Sequence, residues 1–418
     1  MARMQVSRIG MRITLPRMIT RISAARSAYV FFRKRYKNLA SWQNTNYASQ
    51  SIGRETEDSE VNKQIRKSMK RYNNLYSQIY DMENIKLAHK NAMKGKAHYS
   101  EVRMVEANPD KYFNEIHNIL KDKIFKNSKY KMFVKTDKGK KREIFKLPYF
   151  PDRIIHHCIM NILEPIWMKT LITDTYSSLK NRGIHKGVRR LKKALKDRDN
   201  TKYCLKMDVR KFYPSIDHDV LKQIIRQKIK DKDLLWLLDE IIDSADGVPI
   251  GNYLSQYFGN LYLSGLDHWL KEQKQCKYVF RYCDDICVLH SDKKYLSGLR
   301  KDISEYLETK LNVNLKENWQ VFPVAVRGID FLGYRFFHDY TLLRKSTATR
   351  FKKRMRSIKK NHNNLTPINI LSGVMSYWGW MKHADCVRLQ NKYIDYGVKK
   401  IVDNVCKENK LHNPMGVF

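Results

Sequence analysis

Three acidic side chains are the first candidates for chemistry: Asp208 and the adjacent pair Asp284 and Asp285. Asp208 ends the strand-forming run Cys204-Leu205-Lys206-Met207, a place where an Asp can also serve only as a helix cap. The pair is harder to place in a bland role. Val279, Phe280, Ile286, Cys287, Val288 and Leu289 flank it, so two adjacent charges sit beside apolar strands. Such charges repel unless a cation neutralises them. Lys or Arg could do so in a salt-bridged core. Two Mg²⁺ would also do so and would supply a reaction, because ions roughly 3.5 to 4 Å apart clamp the attacking and leaving oxygens of an in-line phosphoryl displacement. Mg²⁺ favours hard oxygen ligands, which carboxylates are. A nuclease could use the same metals, so the acids alone do not name the reaction.

The composition points to the substrate. The chain has 418 residues with 42% hydrophobic content, enough for two or three packed subdomains. It carries 81 Lys and Arg against 42 Asp and Glu, a formal charge of +39. A polyanion is the fitting partner, because each phosphate neutralised by Lys or Arg releases condensed counterions. The 25 Tyr, 16 Phe and 7 Trp add surfaces on which bases stack. An unusually basic soluble protein, or one that binds anionic membrane surfaces, is the alternative. The seven cysteines are irregularly spaced with no CxxC pair, as expected of reduced thiols in a cytosolic protein. No apolar run approaches the roughly 18 to 20 residues of a membrane span.

The elements that must position the acids follow from periodicity. Residues 1–54 contain no Asp or Glu and repeat Arg every four or five positions, from Arg3 to Arg26. This predicts a nucleic-acid-binding arm, with a true start at Met69 or an organellar transit peptide as the other readings. Leu75, Ile79, Met82 and Ile85 have helical spacing. Met132 to Lys135 and Arg142 to Lys146 read as strands around an Asp137-Lys138-Gly139-Lys140 turn. A helix opens at Pro151-Asp152 and ends near Glu164-Pro165, and Gly183 to Leu195 is a basic helix. Cys204 to Val209 is a strand, and Asp217 caps a helix to Ile229. Asn252 to Leu270 reads as one long helix. Tyr278 to Leu289 reads as a hairpin with the acids at its tip, and Phe331 to Phe337 as a strand. The mixture predicts an α+β fold, a sheet with helices on one face.

On these residues the chain resembles reverse transcriptases. Arg281-Tyr282-Cys283-Asp284-Asp285 resembles their YxDD motif. Asp208 to Asp217 (DVRKFYPSID) is similar to the motif with the first metal-binding Asp, and Val248 to His268 to the motif lining the nucleotide pocket. Gly328 to Tyr334 resembles the motif ending in LGY, and Arg142 to His157 the fingers motifs of the bacterial, group II intron-like branch. The resemblance implies a right-hand polymerase. Residues 1–68 would be a basic arm or linker of unassigned role. Residues 69–340 would be fingers and palm, with the palm from 201 a small antiparallel sheet backed by helices. Residues 341–418 would be a helical thumb and tail. It implies Asp208, Asp284 and Asp285 as catalytic metal ligands, with the Val209 backbone, for two Mg²⁺ that Mn²⁺ can replace. Arg142, Phe212, Tyr213, Ile250, Gly251 and Gln256 would meet the nucleotide, Tyr213 as the gate against a ribose 2′-OH. Leu332, Gly333 and Tyr334 would grip the primer. Substrates would be an RNA template, a primer or cDNA, and dNTPs.

One departure narrows the resemblance. Most reverse transcriptases carry QGxxxSP where this chain has Ile250, Gly251, Ser255 and Gln256. Ile offers no hydrogen-bonding group, which predicts looser nucleotide selection. The IGxxxSQ form resembles enzymes of diversity-generating retroelements, which copy a template RNA with errors at adenines and usually work with a small basic accessory protein oligomer. The segments Glu83 to Lys96, Tyr176 to Gly187 and Ser376 to Leu389 are similar to that group too. The alternatives are a phage-defence reverse transcriptase of the abortive-infection or unknown-group type and, outside the enzymes, a nucleic-acid-binding scaffold descended from a polymerase. A bacterial or phage-encoded cytoplasmic protein is implied, with organellar import the lesser reading.

Overall fold

The computed structural model describes residues 71–137, 140–409 and 411. The arm expected over 1–68, the alternative start at Met69 and the middle of the turn at 137–140 lie outside them.

The first helical period is split into helices Tyr76–Ile79 and Met82–Ala92. Asp81 divides them: its carboxylate accepts from the amides of Glu83 and Asn84 and so caps a new helix. The two expected strands form a hairpin, β1 (Lys131–Asp137) and β2 (Lys140–Lys146), paired from Lys131↔Lys146 to Asp137↔Lys140. Helix Ile154–Trp167 runs past Pro165, beyond the end expected there. Pro165 removes one backbone bond, whereas Ile166 and Trp167 beyond it are buried in the core.

A five-stranded sheet carries the acids. Its strands are β3 (Thr175–Tyr176), β4 (Tyr203–Asp208), β5 (Tyr278–Tyr282), β6 (Asp285–His290) and β7 (Gln320–Pro323), in the spatial order β3-β5-β6-β4-β7. All neighbours are antiparallel except β3 and β5 at one edge. Leu205, Met207, Val279, Ile286 and Val288 join a large core with helices Ile154–Trp167, Ser255–Tyr262 and Lys293–Leu311. Cys204, Phe280, Cys287 and Leu289 join a second core on the opposite face. There the sheet meets helix Ile184–Ala194, a small sheet and the C-terminal helices. The expectation of helices on one face is therefore corrected: both faces are covered. This explains why Ile286 to Leu289 are all buried rather than alternating.

Two further expectations change. The strand expected over Phe331 to Phe337 is a hairpin of β8 (Ile329–Phe331) and β9 (Tyr334–Phe336), with β10 (Thr341–Leu343) beside it. Leu332 and Gly333 have φ of 51° and 86°, the pair of positive values a tight two-residue hairpin requires. The single helix expected from Asn252 to Leu270 is broken into Ser255–Tyr262, Ser264–His268 and a wide turn Trp269–Gln273. At the break Ser264 Oγ donates to the Leu261 carbonyl at 2.6 Å, a local bond that competes with the helix. Four helices follow, Lys345–Asn361, Pro367–Met381, Val387–Tyr393 and Tyr396–Glu408, and Phe351, Met355, Val374 and Val402 pack among them.

Candidate active site

Strand register brings the three acids together. Asp208 on β4 is the direct partner of Asp285 on β6. Tyr282 also pairs with Asp285, which leaves Cys283 and Asp284 as the turn between β5 and β6. Cys283 takes a φ of 59°, and the Val209 amide donates to the Asp284 carbonyl at 3.4 Å.

The carboxylates divide between two cations. Lys316 Nζ lies 3.0 Å from Asp208 Oδ2 and 3.9 Å from Asp284 Oδ2, so these two acids face one point. Asp285 is paired instead with Lys206, whose ammonium sits 4.7 Å over the Phe331 ring. Burial, and then the nearby charge of Asp208, push the Asp284 carboxyl above the usual carboxylate range. Two hard oxygen donors that repel each other across a shared cation position suit Mg²⁺. Among the described residues no three ligating side chains close around a single point. Asp208 and Asp284 are the pair that fits an ion, and Asp285 stands aside on Lys206.

A buried arginine fixes the turn. Arg281 is fully buried, and its Nε donates to Asp267 Oδ1 at 2.8 Å. Its Nη2 donates to the Asn260 carbonyl and its Nη1 to the Cys283 carbonyl, both at 3.0 Å. One guanidinium thus ties the Asp284 turn to two helices. Sequence reasoning missed Arg281, Lys316 and Lys206 as site residues. Only Lys206 had a signal, since period two in a strand puts it on the face of Asp208.

Of the expected nucleotide-side residues, Phe212 and Tyr213 lie beside the Asp284 turn. Tyr213 is half-buried, and the Cys283 thiol lies 3.2 Å from its hydroxyl. Burial pushes that thiol up to about 12, so it stays protonated and can donate. A Cβ added to Gly259 would meet Phe212 Cε1 and Tyr213 Cε1 at 3.1 Å, a close approach that Gly spares both rings. Ile250 accepts a hydrogen bond from the Phe145 amide at 2.8 Å, which clamps β2 onto this segment. Gly251 has φ +121°, and an added Cβ would collide with the Phe145 carbonyl. Arg142 is exposed on β2, opposite Lys135, and Gln256 is exposed in the first turn of its helix.

The LGY segment lies on the other side. Leu332 and Gly333 share a cavity of about 520 Å³ with Tyr282, Asp285, Arg344 and Arg350. Gly333 lies against the Trp380 ring, and the Tyr334 hydroxyl donates to the Trp380 carbonyl at 3.0 Å. Tyr334 itself is fully buried, with its ring 5.2 Å from that of Trp380.

The family profile described as reverse transcriptase (RNA-dependent DNA polymerase) matches residues 124–336. The chain belongs to the reverse transcriptase family. The reverse transcriptase match runs from just before β1 to the end of β9 and so includes all three acids. Protein YkfC of Escherichia coli (strain K12) is 24% identical over 250 residues, 49% of this chain and 65% of that one. Group II intron-encoded protein LtrA of Lactococcus lactis subsp. cremoris is 22% identical over 207 residues, 46% of this chain and 34% of that one. The chain thus spans less than two thirds of the length of either relative. Apo telomerase from Candida Tropicalis aligns with a TM-score of 0.43 at 14% identity, over 68% of this chain and 57% of that one.

Proposed function

We propose that the chain is an RNA-directed DNA polymerase that makes cDNA from an RNA template by two-metal nucleotidyl transfer. The observation that carries this reading is the Asp208–Asp284 pair, held at the end of β4 and in the β5–β6 turn beside it and facing one cation position within the family match. Asp208 and Asp284 would hold the ions beside the Val209 backbone. When bound, two divalent cations activate the primer 3′-OH and stabilise the leaving pyrophosphate. Arg281 keeps the Asp284 turn rigid, so little reorganisation is needed at the moment of reaction. Lys206 offsets the charge of Asp285. The Tyr213 ring lies beside the Asp284 turn, where it would bar a ribose 2′-OH. Gly251 lets backbone approach the nucleotide, and Arg142 reaches its phosphates. Leu332 and Gly333 hold the primer end in the cavity they share with Asp285.

The Ile250, Gly251, Ser255 and Gln256 pattern supports a narrower reading, error-prone copying within a diversity-generating retroelement alongside a small basic accessory oligomer. A DNA primer annealed to an RNA template, with Mg²⁺ and dNTPs, tests the activity: extension is expected, and a protein that binds the duplex but never extends it rules the activity out. Sequencing the product tests the narrower reading, which expects errors concentrated at template adenines and fails if they are spread evenly.

A further inference from the structure

The loop that leads from helix Lys232–Ile242 to Ile250 and Gly251 is pressed onto the Tyr213 turn. Within it the Val248 amide donates to the Tyr213 carbonyl at 2.9 Å. Gly247 lies so close to the same turn that an added Cβ would stand 2.6 Å from the Pro214 carbonyl oxygen and 2.7 Å from that of Tyr213, and its φ of +58° also calls for glycine. His218 holds this stretch in place. Its Nε2 donates to the Gly247 carbonyl at 2.8 Å, and its Nδ1 lies 3.2 Å from Asp243 Oδ1. Asp243 Oδ2 in turn accepts from Lys222 Nζ at 2.6 Å. His218 and Lys222 stand one turn apart on helix His218–Arg226, so one helix face grips the loop at two points. That face is itself anchored. The Asp217 carboxylate accepts from the Val220 amide at 3.1 Å and from Asn312 Nδ2 at 2.9 Å, and the Asp217 amide donates to the Tyr262 hydroxyl at 3.2 Å. Beyond the loop other partners take over: Ser255 Oγ donates to the Pro249 carbonyl at 2.6 Å, and the Phe145 amide to that of Ile250.

We propose that His218 is a positioning residue for nucleotide choice: through Gly247 and Val248 it fixes the Tyr213 ring, and the fixed ring excludes the 2′-OH of an incoming ribonucleoside triphosphate. The tyrosine is held at two ends. Its hydroxyl meets the Cys283 thiol at 3.2 Å in the Asp284 turn, and its backbone carbonyl meets the Val248 amide. Released at the backbone end, the ring shifts, and a displacement of about 1 Å is enough to change a rate substantially. Exclusion of a ribose turns on a single oxygen atom, so a small shift makes room for it. The bonds of His218 go to Gly247 and Asp243 and not to Asp208 or Asp284, so its effect falls on the choice of sugar rather than on the metal site. The proposal rests on the polymerase reading and on Tyr213 as its gate.

Single-nucleotide extension of a DNA primer opposite a cytosine in an RNA template gives kcat/KM for dGTP and for GTP. His218→Asn carries an amide too short to reach Gly247 and is expected to lower the preference for dGTP over GTP about ten-fold, chiefly by raising kcat/KM for GTP. His218→Gln, whose amide nitrogen falls where Nε2 stood, should keep most of the preference. Asp243→Asn, at an exposed position, weakens the second grip and should shift the preference the same way by less, which keeps the test open if His218→Asn does not fold. In a Tyr213→Ala background His218→Asn should add no further loss, because the ring it positions is gone. An unchanged preference in both His218→Asn and Asp243→Asn overturns the proposal. So does a fall in kcat for both nucleotides with their ratio intact, or an equal loss of preference with and without the Tyr213 ring. Wild-type protein that extends with neither nucleotide refutes the polymerase reading itself, and this assignment with it.

Discussion

Ile250 brings no polar side chain to the segment whose backbone is hydrogen-bonded to β2. Ile250→Gln is therefore expected to restore a contact that tightens transition-state discrimination and to raise fidelity. Equal misincorporation at adenines in the cDNA of both forms would count against it. Lys206 gives a stability prediction. Its side chain and that of Asp285 are 19% and 28% exposed, so Lys206→Met leaves a mostly buried carboxylate without a counterion. Loss of about 3 kcal/mol in denaturant unfolding is expected, recovered in part when Asp285→Asn is added. The acids were legible because an apolar setting makes an Asp pair conspicuous. Lys316 was not, because its approach to Asp208 depends on a loop that pairs backbone to backbone only in the folded chain, through the Lys316 amide and Asp208 carbonyl at 2.8 Å.

Elements with a strong period were read well: the β1–β2 hairpin, the basic helix after Gly183 and the Asp217-capped helix all stand close to their expected places. The misses fall where a local bond overrides the period, as at Ser264, or where positive φ turns one apolar run into a hairpin, as at Leu332-Gly333. Gly333→Ala should destabilise the docking of the C-terminal helices, because the new methyl meets Trp380 at φ +86°; a cost of roughly 1–3 kcal/mol in thermal or denaturant unfolding is expected. Helix Ile154–Trp167 carries a pH prediction. Burial, together with neighbouring positive charge, pushes His156 and His157 down to about 3. The unfolded chain binds those protons near pH 6.5, so stability is full above that value and falls as pH drops toward 3. By pH 5 each should have cost on the order of 1–2 kcal/mol. Denaturant titrations at pH 7.5 and pH 5 should show the fall, and His157→Phe, stacked on Tyr253, should reduce it.

The whole molecule joins two cores through one sheet, and the acids sit where that sheet ends. The fold class was legible from the order of motifs, but the second core was not, since nothing in a run such as Ile286 to Leu289 says what will cover its far face. The formal charge of +39 predicts nucleic-acid binding that weakens steeply as salt rises. Binding and catalysis should be separable, because Lys352, Lys353, Lys359 and Lys360 of helix Lys345–Asn361 lie outside the cavity that Arg350 shares with Asp285. The central proposal is that Asp208 and Asp284 hold the metal ions for copying RNA, with Asp285 beside them balanced by Lys206. Single-turnover incorporation on an RNA template tests it most directly, comparing the wild-type protein with an Asp284→Asn, Asp285→Asn double variant that binds the duplex equally well. The expected result is loss of incorporation in the variant with duplex affinity retained; incorporation at the wild-type rate would contradict the assignment.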